Sequence, residues 1–370
     1  MKKEKAEQRM QYFISQIDKL IEDMDGSIPG AQSENYVYLA NGGKEWTDGF
    51  WAGMLNLAYG YTRNERYKTE ALKLVHIMYD RIVKKEAVNH HDMGFLYSPS
   101  CIAAYDLYGS EKALEAAILA ADNLIGRFRE KGEFIQAWGN IDDNPKNYRL
   151  IIDCLLNLPL LYRISEVTGK SIYQEVARKH FETAVKCVIR EDYSTNHTYY
   201  FDIESGAPLK GVTCQGFSDD SMWARGQSWA IYGLALNYKY LKDDTIIEKF
   251  NGVTDAFFRQ LPEDKVPYWD MIFTKGEEPR DTSAAMITVC GILEMEKYFH
   301  NAELKEKAVE MLDSVLENHS TQKFGNSNGL LMDSMFNRNA GHKPECSIWG
   351  DYYAMEALYR IINPEWKSFW

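Results

Sequence analysis

Residues 152–189, IDCLLNLPLLYRISEVTGKSIYQEVARKHFETAVKCVI, read as two helices joined by a turn. Ile152 to Val167 is apolar around most of its circumference, Thr168-Gly169-Lys170 interrupts it, and Ser171 to Ile189 resumes with a charged, one-sided helical pattern. The same unit recurs along the chain. Phe50 to Tyr61 passes through Thr62-Arg63-Asn64 into Glu65 to Val83, and Phe95 to Tyr108 passes through Gly109-Ser110 into Glu111 to Arg129. Trp229 to Leu241 turns at Lys242-Asp243-Asp244, and Ala284 to Phe299 turns at His300-Asn301. The spacing of about 45 to 75 residues is that of a helical hairpin plus a variable connection. An amphipathic helix near Glu4 to Met24 and an apolar one near Trp349 to Ile362 supply a sixth hairpin if the two ends meet. Six apolar helices alternating with six amphipathic ones predict an all-α fold, an (α/α)6 toroid with the apolar set inside. A small β insertion is expected around Tyr199 to Val212, and Gly325-Asn326-Ser327-Asn328-Gly329 marks a loop. Nothing resembles an interdomain linker, so residues 1–370 are expected to form one domain.

Composition narrows the function. The 370 residues are 45% hydrophobic and 26% charged, a globular balance that excludes disorder as the main state. Formal charge is 42 minus 54, or −12, which argues against a broad nucleic-acid or anionic-membrane footprint. An anionic ligand therefore needs a local cationic pocket. Cys101, Cys154, Cys187, Cys214, Cys290 and Cys346 are scattered and mostly apolar in context, which predicts reduced, buried thiols. The first residues lack the apolar stretch of a signal peptide, and no segment approaches 18 uninterrupted apolar residues. A cytoplasmic protein is the expectation.

In a toroid, the N-terminal ends of the inner helices converge at one opening, and unusual residues stand there. Trp46-Thr47-Asp48-Gly49-Phe50-Trp51, Asn89-His90-His91-Asp92-Met93-Gly94-Phe95 and Gln136-Ala137-Trp138 come early in the chain. Ile151-Ile152-Asp153-Cys154 and Trp223-Ala224-Arg225-Gly226-Gln227-Ser228-Trp229 follow. Aromatic faces stack on the C–H patches of sugar rings while carboxylates and amides bind hydroxyl groups, so the pairing points to carbohydrate. The competing interpretation makes Asp48, Asp92 and Asp153 helix caps and the tryptophans core. Recurrence at successive helix starts argues against it. Asp153 is the sharpest case, because apolar neighbours on both sides demand a paired carboxylate or one whose pKa is raised, and either suits a general acid. His90-His91-Asp92 lacks HExxH or spaced histidines, so no metal is expected; no GxSxG elbow or phosphate loop appears either. No cofactor is expected.

At these residues the chain resembles the unsaturated glucuronyl hydrolases, glycoside hydrolase family 88, from about Trp46 to Tyr353. The likeness lies in Trp46-Thr47-Asp48-Gly49-Phe50-Trp51, His90-His91-Asp92-Met93-Gly94-Phe95, Ile151 to Leu160, Arg225-Gly226-Gln227-Ser228-Trp229 and Ile348-Trp349-Gly350-Asp351-Tyr352-Tyr353. It implies the same toroid, and a substrate that is a di- or oligosaccharide left by a polysaccharide lyase, ending in a 4,5-unsaturated uronic acid. It also implies hydration of the C4=C5 vinyl ether, after which the hemiketal opens and the neighbouring sugar leaves. By this resemblance Asp153 is the general acid/base and Asp92 the second essential aspartate. Trp46, Trp138, Trp223 and Trp229 match ring-stacking positions, and His91, His197, Gln215 and Arg225 match polar substrate contacts, with Arg225 a local cation for the uronate. One departure is Thr213-Cys214-Gln215-Gly216, where the family pattern has histidine in place of Cys214. Gly341-His342-Lys343-Pro344-Glu345-Cys346 also lacks the serine-rich, lysine-containing pattern of members that prefer sulfated substrates. Two alternatives remain: the related unsaturated rhamnogalacturonyl hydrolases, acting on pectin fragments, and a non-catalytic oligosaccharide-binding toroid. Oligomeric state is left open.

Overall fold

Helices form wherever the alternation of all-round apolar and one-sided segments predicts them. The computed structural model describes residues 1–142 and 144–370. In chain order they are α1 (Lys3–Met24), α2 (Asp48–Thr62), α3 (Glu65–Val83), α4 (Met93–Tyr97), α5 (Ala103–Tyr108), α6 (Glu111–Ile125) and α7 (Cys154–Thr168). Then come α8 (Ser171–Val188), α9 (Ala224–Leu241), α10 (Thr245–Arg259), α11 (Thr282–Met295), α12 (Ala302–Asn318) and α13 (Ile348–Ile362). The inner helices bury nearly every side chain, as α11 does from Thr282 to Met295. An outer helix such as α1 buries only Ala6, Met10, Phe13, Ile17, Leu20 and Met24, one stripe at three- and four-residue spacing. Inner helices α2, α4, α7, α9, α11 and α13 touch in sequence, and α13 returns to α2, so the ring is closed. Outside, α1 joins α12 through Lys5–Asp313 and Arg9–Glu317, both at 2.7 Å. The ends of the chain thus supply the sixth hairpin of an (α/α)6 toroid.

The turn residues act as caps. Asn64 accepts from Arg66 N at 3.0 Å, Asn301 accepts from Leu304 N at 3.1 Å, and Gly169 ends α7 in the left-handed region, φ 71°. The second inner helix departs from the expected continuous run: α4 and α5 are separated by a π-helical turn, Ser98–Ile102. Pro99 has no N–H to give, and Asn56 Nδ2 on α2 donates to its carbonyl at 2.8 Å. A second proline, Pro159 inside α7, deprives the Leu155 carbonyl of its helical donor. Asn237 Nδ2 on α9 donates to that carbonyl at 2.9 Å.

The β insertion consists of Thr198–Phe201 paired antiparallel with Pro208–Val212. A third strand, Arg149–Ile151, not foreseen, pairs with the first and sets Arg149 opposite Tyr200 and Ile151 opposite Thr198. This sheet leads directly into α7. None of the six cysteines is paired, and all but Cys214 are buried. Among the described residues no helix is long and apolar enough to cross a membrane.

Candidate active site

Two helix starts meet at one end of the ring. Asp92 precedes α4 and Asp153 precedes α7, yet neither side chain caps its helix, so both carboxylates are free for another task. The backbone around them is tied down on each side. His91 N donates to Ala137 O at 2.8 Å, and Ile152 N donates to His197 O at 3.0 Å. Asn157, fully buried, spans the two: its Oδ1 accepts from Phe95 N at 2.9 Å and its Nδ2 donates to Asp153 O at 3.2 Å. Gly94 allows the approach, because a Cβ there would lie 2.4 Å from Asn157 Cα.

The result is a compact triad. His91 Nε2 lies 3.3 Å from Asp153 Oδ1 and 3.4 Å from Asp92 Oδ1, while His90 Nδ1 lies 3.0 Å from Asp92 Oδ2. The two histidine side chains diverge, as adjacent residues in an extended segment should, and each meets a different oxygen of Asp92. Burial holds His91 down to about 4, so its ring is neutral near pH 7. Burial also raises Asp92, but the His91 and His90 rings and the Arg127 charge outweigh it and keep its carboxylate ionised. Asp153 goes the other way: burial, then the neighbouring Asp92 charge, push it well above the ordinary carboxylate range. One carboxylate holds a proton and the other does not, the division of labour that acid/base chemistry needs. Both His91 nitrogens, Asp92 Oδ1 and Asp153 Oδ1 are buried without a hydrogen-bond partner in the protein. They are groups set out for a ligand.

The donor atoms of His91, Asp92 and Asp153 all lie within 4.8 Å of one another, close enough for a metal ion. The set is a poor one for it. It offers a single imidazole and two carboxylates, and one oxygen of Asp92 is already held by His90 Nδ1 at 3.0 Å.

Around the triad the other residues singled out in the sequence form a connected lining. The His197 ring stacks on Trp223 at 4.2 Å and its Nδ1 accepts from Cys214 N at 3.1 Å and Gln215 N at 3.2 Å. That fixes the neutral tautomer with the proton on Nε2, and burial keeps the ring neutral by lowering it to about 3. Trp138 is 37% exposed, at the rim, and Trp46 is half-buried against Phe95 and Trp349, each at 5.4 Å. Gln215 Nε2 reaches Phe336 O at 3.5 Å. Two of the expected contact residues are already engaged within the protein. Trp229 is 1% exposed, with its ring against Phe95 at 5.2 Å and Tyr353 at 5.8 Å. Its ring is packed between those two aromatics. Arg225 is close enough for its charge to act on Asp153, but its guanidinium is already bound by Asp281 at 2.8 Å and by the carbonyls of Met335 and Phe336, each at 2.6 Å. Its charge is largely compensated before any uronate arrives.

Sequence reasoning missed Asn157, Arg149, Gln136 and His180. His180 is fully buried, its Nδ1 accepts from Ile135 N at 3.0 Å, and its Nε2 has no partner. Gln136, also fully buried, donates to the Trp138 and Asn140 carbonyls at 2.9 and 2.8 Å and shapes the rim. Asn157, Arg149 and His180 take partners from distant segments, so local patterning carries no signal for them, whereas Gln136 bonds to carbonyls two and four residues on.

A family model for Glycosyl Hydrolase Family 88 matches residues 20–364. The chain belongs to this family. Over 372 residues this family 88 chain is 45% identical to an unsaturated chondroitin disaccharide hydrolase of Streptococcus agalactiae, covering 99% of the chain and 93% of the relative. It is 39% identical over 343 residues to an unsaturated glucuronyl hydrolase of a Bacillus species, covering 90% of each. Among solved structures, the unsaturated glucuronyl hydrolase of S. agalactiae superposes with a TM-score of 0.97 at 44% identity, over 100% of this chain and 94% of that one. A mutant of that enzyme complexed with dGlcA-GalNAc6S gives 0.88 at 41% identity, over the same shares of each chain. As a glycoside hydrolase of family 88, the chain presents Asp92 and Asp153 where one group of opposite protonation state faces the other.

Proposed function

We propose that this chain is an unsaturated glucuronyl hydrolase that removes 4,5-unsaturated glucuronic acid from lyase-generated glycosaminoglycan disaccharides. The observation that carries this reading is the protonated Asp153 beside the ionised Asp92 and the neutral His91, in a ring opening lined by tryptophan and histidine. Asp153 donates its proton to C4 of the vinyl ether, and positive charge develops at C5 next to the ring oxygen. Water adds at C5 and gives a proton back to the Asp153 carboxylate, which restores the starting state. The hemiketal at C5 then opens and the neighbouring sugar departs. Asp92, held ionised, orients sugar hydroxyls and keeps the Asp153 proton in place. His197 offers its Nε2–H, and Trp138 and Trp46 offer ring faces. No step uses a metal or an organic cofactor. Residues 1–370 act as one catalytic domain, and six unpaired thiols suit a reducing compartment such as the cytoplasm.

The test is loss of the conjugated ultraviolet absorbance with unsaturated chondroitin, hyaluronan and rhamnogalacturonan disaccharides, beside a saturated uronide control. Consumption of the glucuronyl substrates alone supports the proposal. A response only to the pectin-derived substrate replaces the substrate class and keeps the chemistry. Persistence of all absorbance with sugar still bound makes the chain a binding toroid.

A further inference from the structure

Arg149 stands on the strand Arg149–Ile151, four residues before Asp153. Its guanidinium centre is 4.7 Å from the Trp138 ring centroid and 5.2 Å from that of Tyr200. Nη1 donates to the Tyr200 hydroxyl at 2.6 Å and lies 3.7 Å from Cys214 Sγ. Neither partner carries a compensating charge, and among the described residues no carboxylate lies within ion-pair distance of it. Nε is buried with no acceptor.

The other arginines near the triad differ. Arg225 is bound by Asp281 and two carbonyls, and Arg127 bonds through each of its three side-chain nitrogens, to Gln136 O at 2.9 Å, Asn89 Oδ1 at 2.6 Å and Gly139 O at 2.9 Å. Arg149 has no carboxylate partner, and of the three it alone keeps a buried side-chain nitrogen, Nε, without an acceptor. Its charge is near enough to act on both the His91 and the His197 rings. Trp138, the exposed ring on which this guanidinium is stacked, is bridged through its backbone to His90, two residues before Asp92. The aromatic sandwich fixes the planar fork before a ligand arrives, which suits two-point contact with an oxyanion. Cys214 is small enough to admit it; a bulkier side chain 3.7 Å from Nη1 would crowd it out.

We propose that Arg149 is the specificity-determining residue that receives an oxyanion of the substrate, either the uronate carboxylate or a sulfate ester on the neighbouring sugar. The proposal rests on the hydrolase reading of the site, and binding tests it without turnover. Asp153→Asn serves as the parent, and Arg149→Gln is added to it. Dissociation constants are measured calorimetrically for the unsulfated unsaturated chondroitin disaccharide, its 6-sulfated form and the uncharged methyl ester of the unsulfated one. Loss of a charge-assisted contact weakens binding by roughly tenfold or more. A loss for the unsulfated acid but not for its ester assigns the carboxylate. A loss confined to the sulfated ligand assigns the sulfate. Equal loss for all three ligands, the mark of a structural role, or no loss for any, overturns the assignment while leaving the hydrolase reading intact. A parent that binds none of the three ends both.

Discussion

Replacing Gly94 by alanine adds one methyl group at the point where the starts of α4 and α7 touch. The new Cβ would lie 2.4 Å from Asn157 Cα and 2.8 Å from its Oδ1. Ordinary contact begins near 3.4 Å, so the two helix starts must part by about 1 Å. The obstacle is backbone, which no rotamer change relieves. Overpacking of this kind costs about 1–3 kcal/mol of stability. The larger effect falls on catalysis. Asp92 is two residues before Gly94, and Asp153 hangs from the carbonyl that Asn157 holds at 3.2 Å. A misplacement of about 1 Å in a preorganised site costs on the order of 10²-fold in rate. We therefore expect Gly94→Ala to fold, to melt a few degrees lower, and to lose kcat about a hundredfold. Initial rates from the ultraviolet assay, read beside a circular-dichroism melt, check it. A folded variant whose kcat stays within about threefold of the parent would refute the idea that this contact sets the carboxylate geometry.

The remaining predictions concern protons and metals. Asp92→Asn removes the charge that, after burial, most raises Asp153, so the pKa of the proposed general acid falls and the alkaline limb of kcat against pH moves to lower pH; an unmoved limb would separate the two groups. His180, His91 and His197 are lowered by burial to about 3, 4 and 3, so the unfolded chain binds protons that the native one refuses. Stability is therefore fully present above about pH 6.5, the ordinary histidine value, and is lost as pH falls towards 4. His180→Gln should reduce by about one the protons taken up on unfolding near pH 5, measurable from the slope of stability against pH; an unchanged slope contradicts a neutral buried His180. Turnover should also survive dialysis against a chelator, with no stoichiometric metal in the purified protein. A chelator-sensitive, metal-restored rate would make His91, Asp92 and Asp153 ligands.

The fold was legible because each helix announces its layer. All-round apolar segments such as α11 have no solvent-facing side, one-striped segments such as α1 need exactly one wall, and alternating them leaves few architectures besides a double ring. The break between α4 and α5 was visible only as Pro99, whose carbonyl accepts from Asn56 of another hairpin. Pro159 makes the same point in reverse: the Leu155 carbonyl that it leaves without a helical donor is met by Asn237, 82 residues from Leu155 in sequence and 2.9 Å away in space.

In the site, what sequence could show was residue type at a helix start, and this found Asp92, Asp153 and His91. It could not show whether a polar group was already spent. Arg225 and Arg149 look alike as isolated arginines, yet one meets Asp281 and two backbone carbonyls and the other meets a phenol and a thiol. Trp229 and Trp138 look alike as isolated tryptophans, yet one is sealed between Phe95 and Tyr353 and the other is 37% exposed. The distinction matters because binding energy comes from groups whose hydrogen bonds or faces are free until the ligand comes. In a chain of net charge −12, Arg149, which meets a phenol and a thiol but no carboxylate among the described residues, is the local cation that an anionic ligand at this opening needs under the proposal.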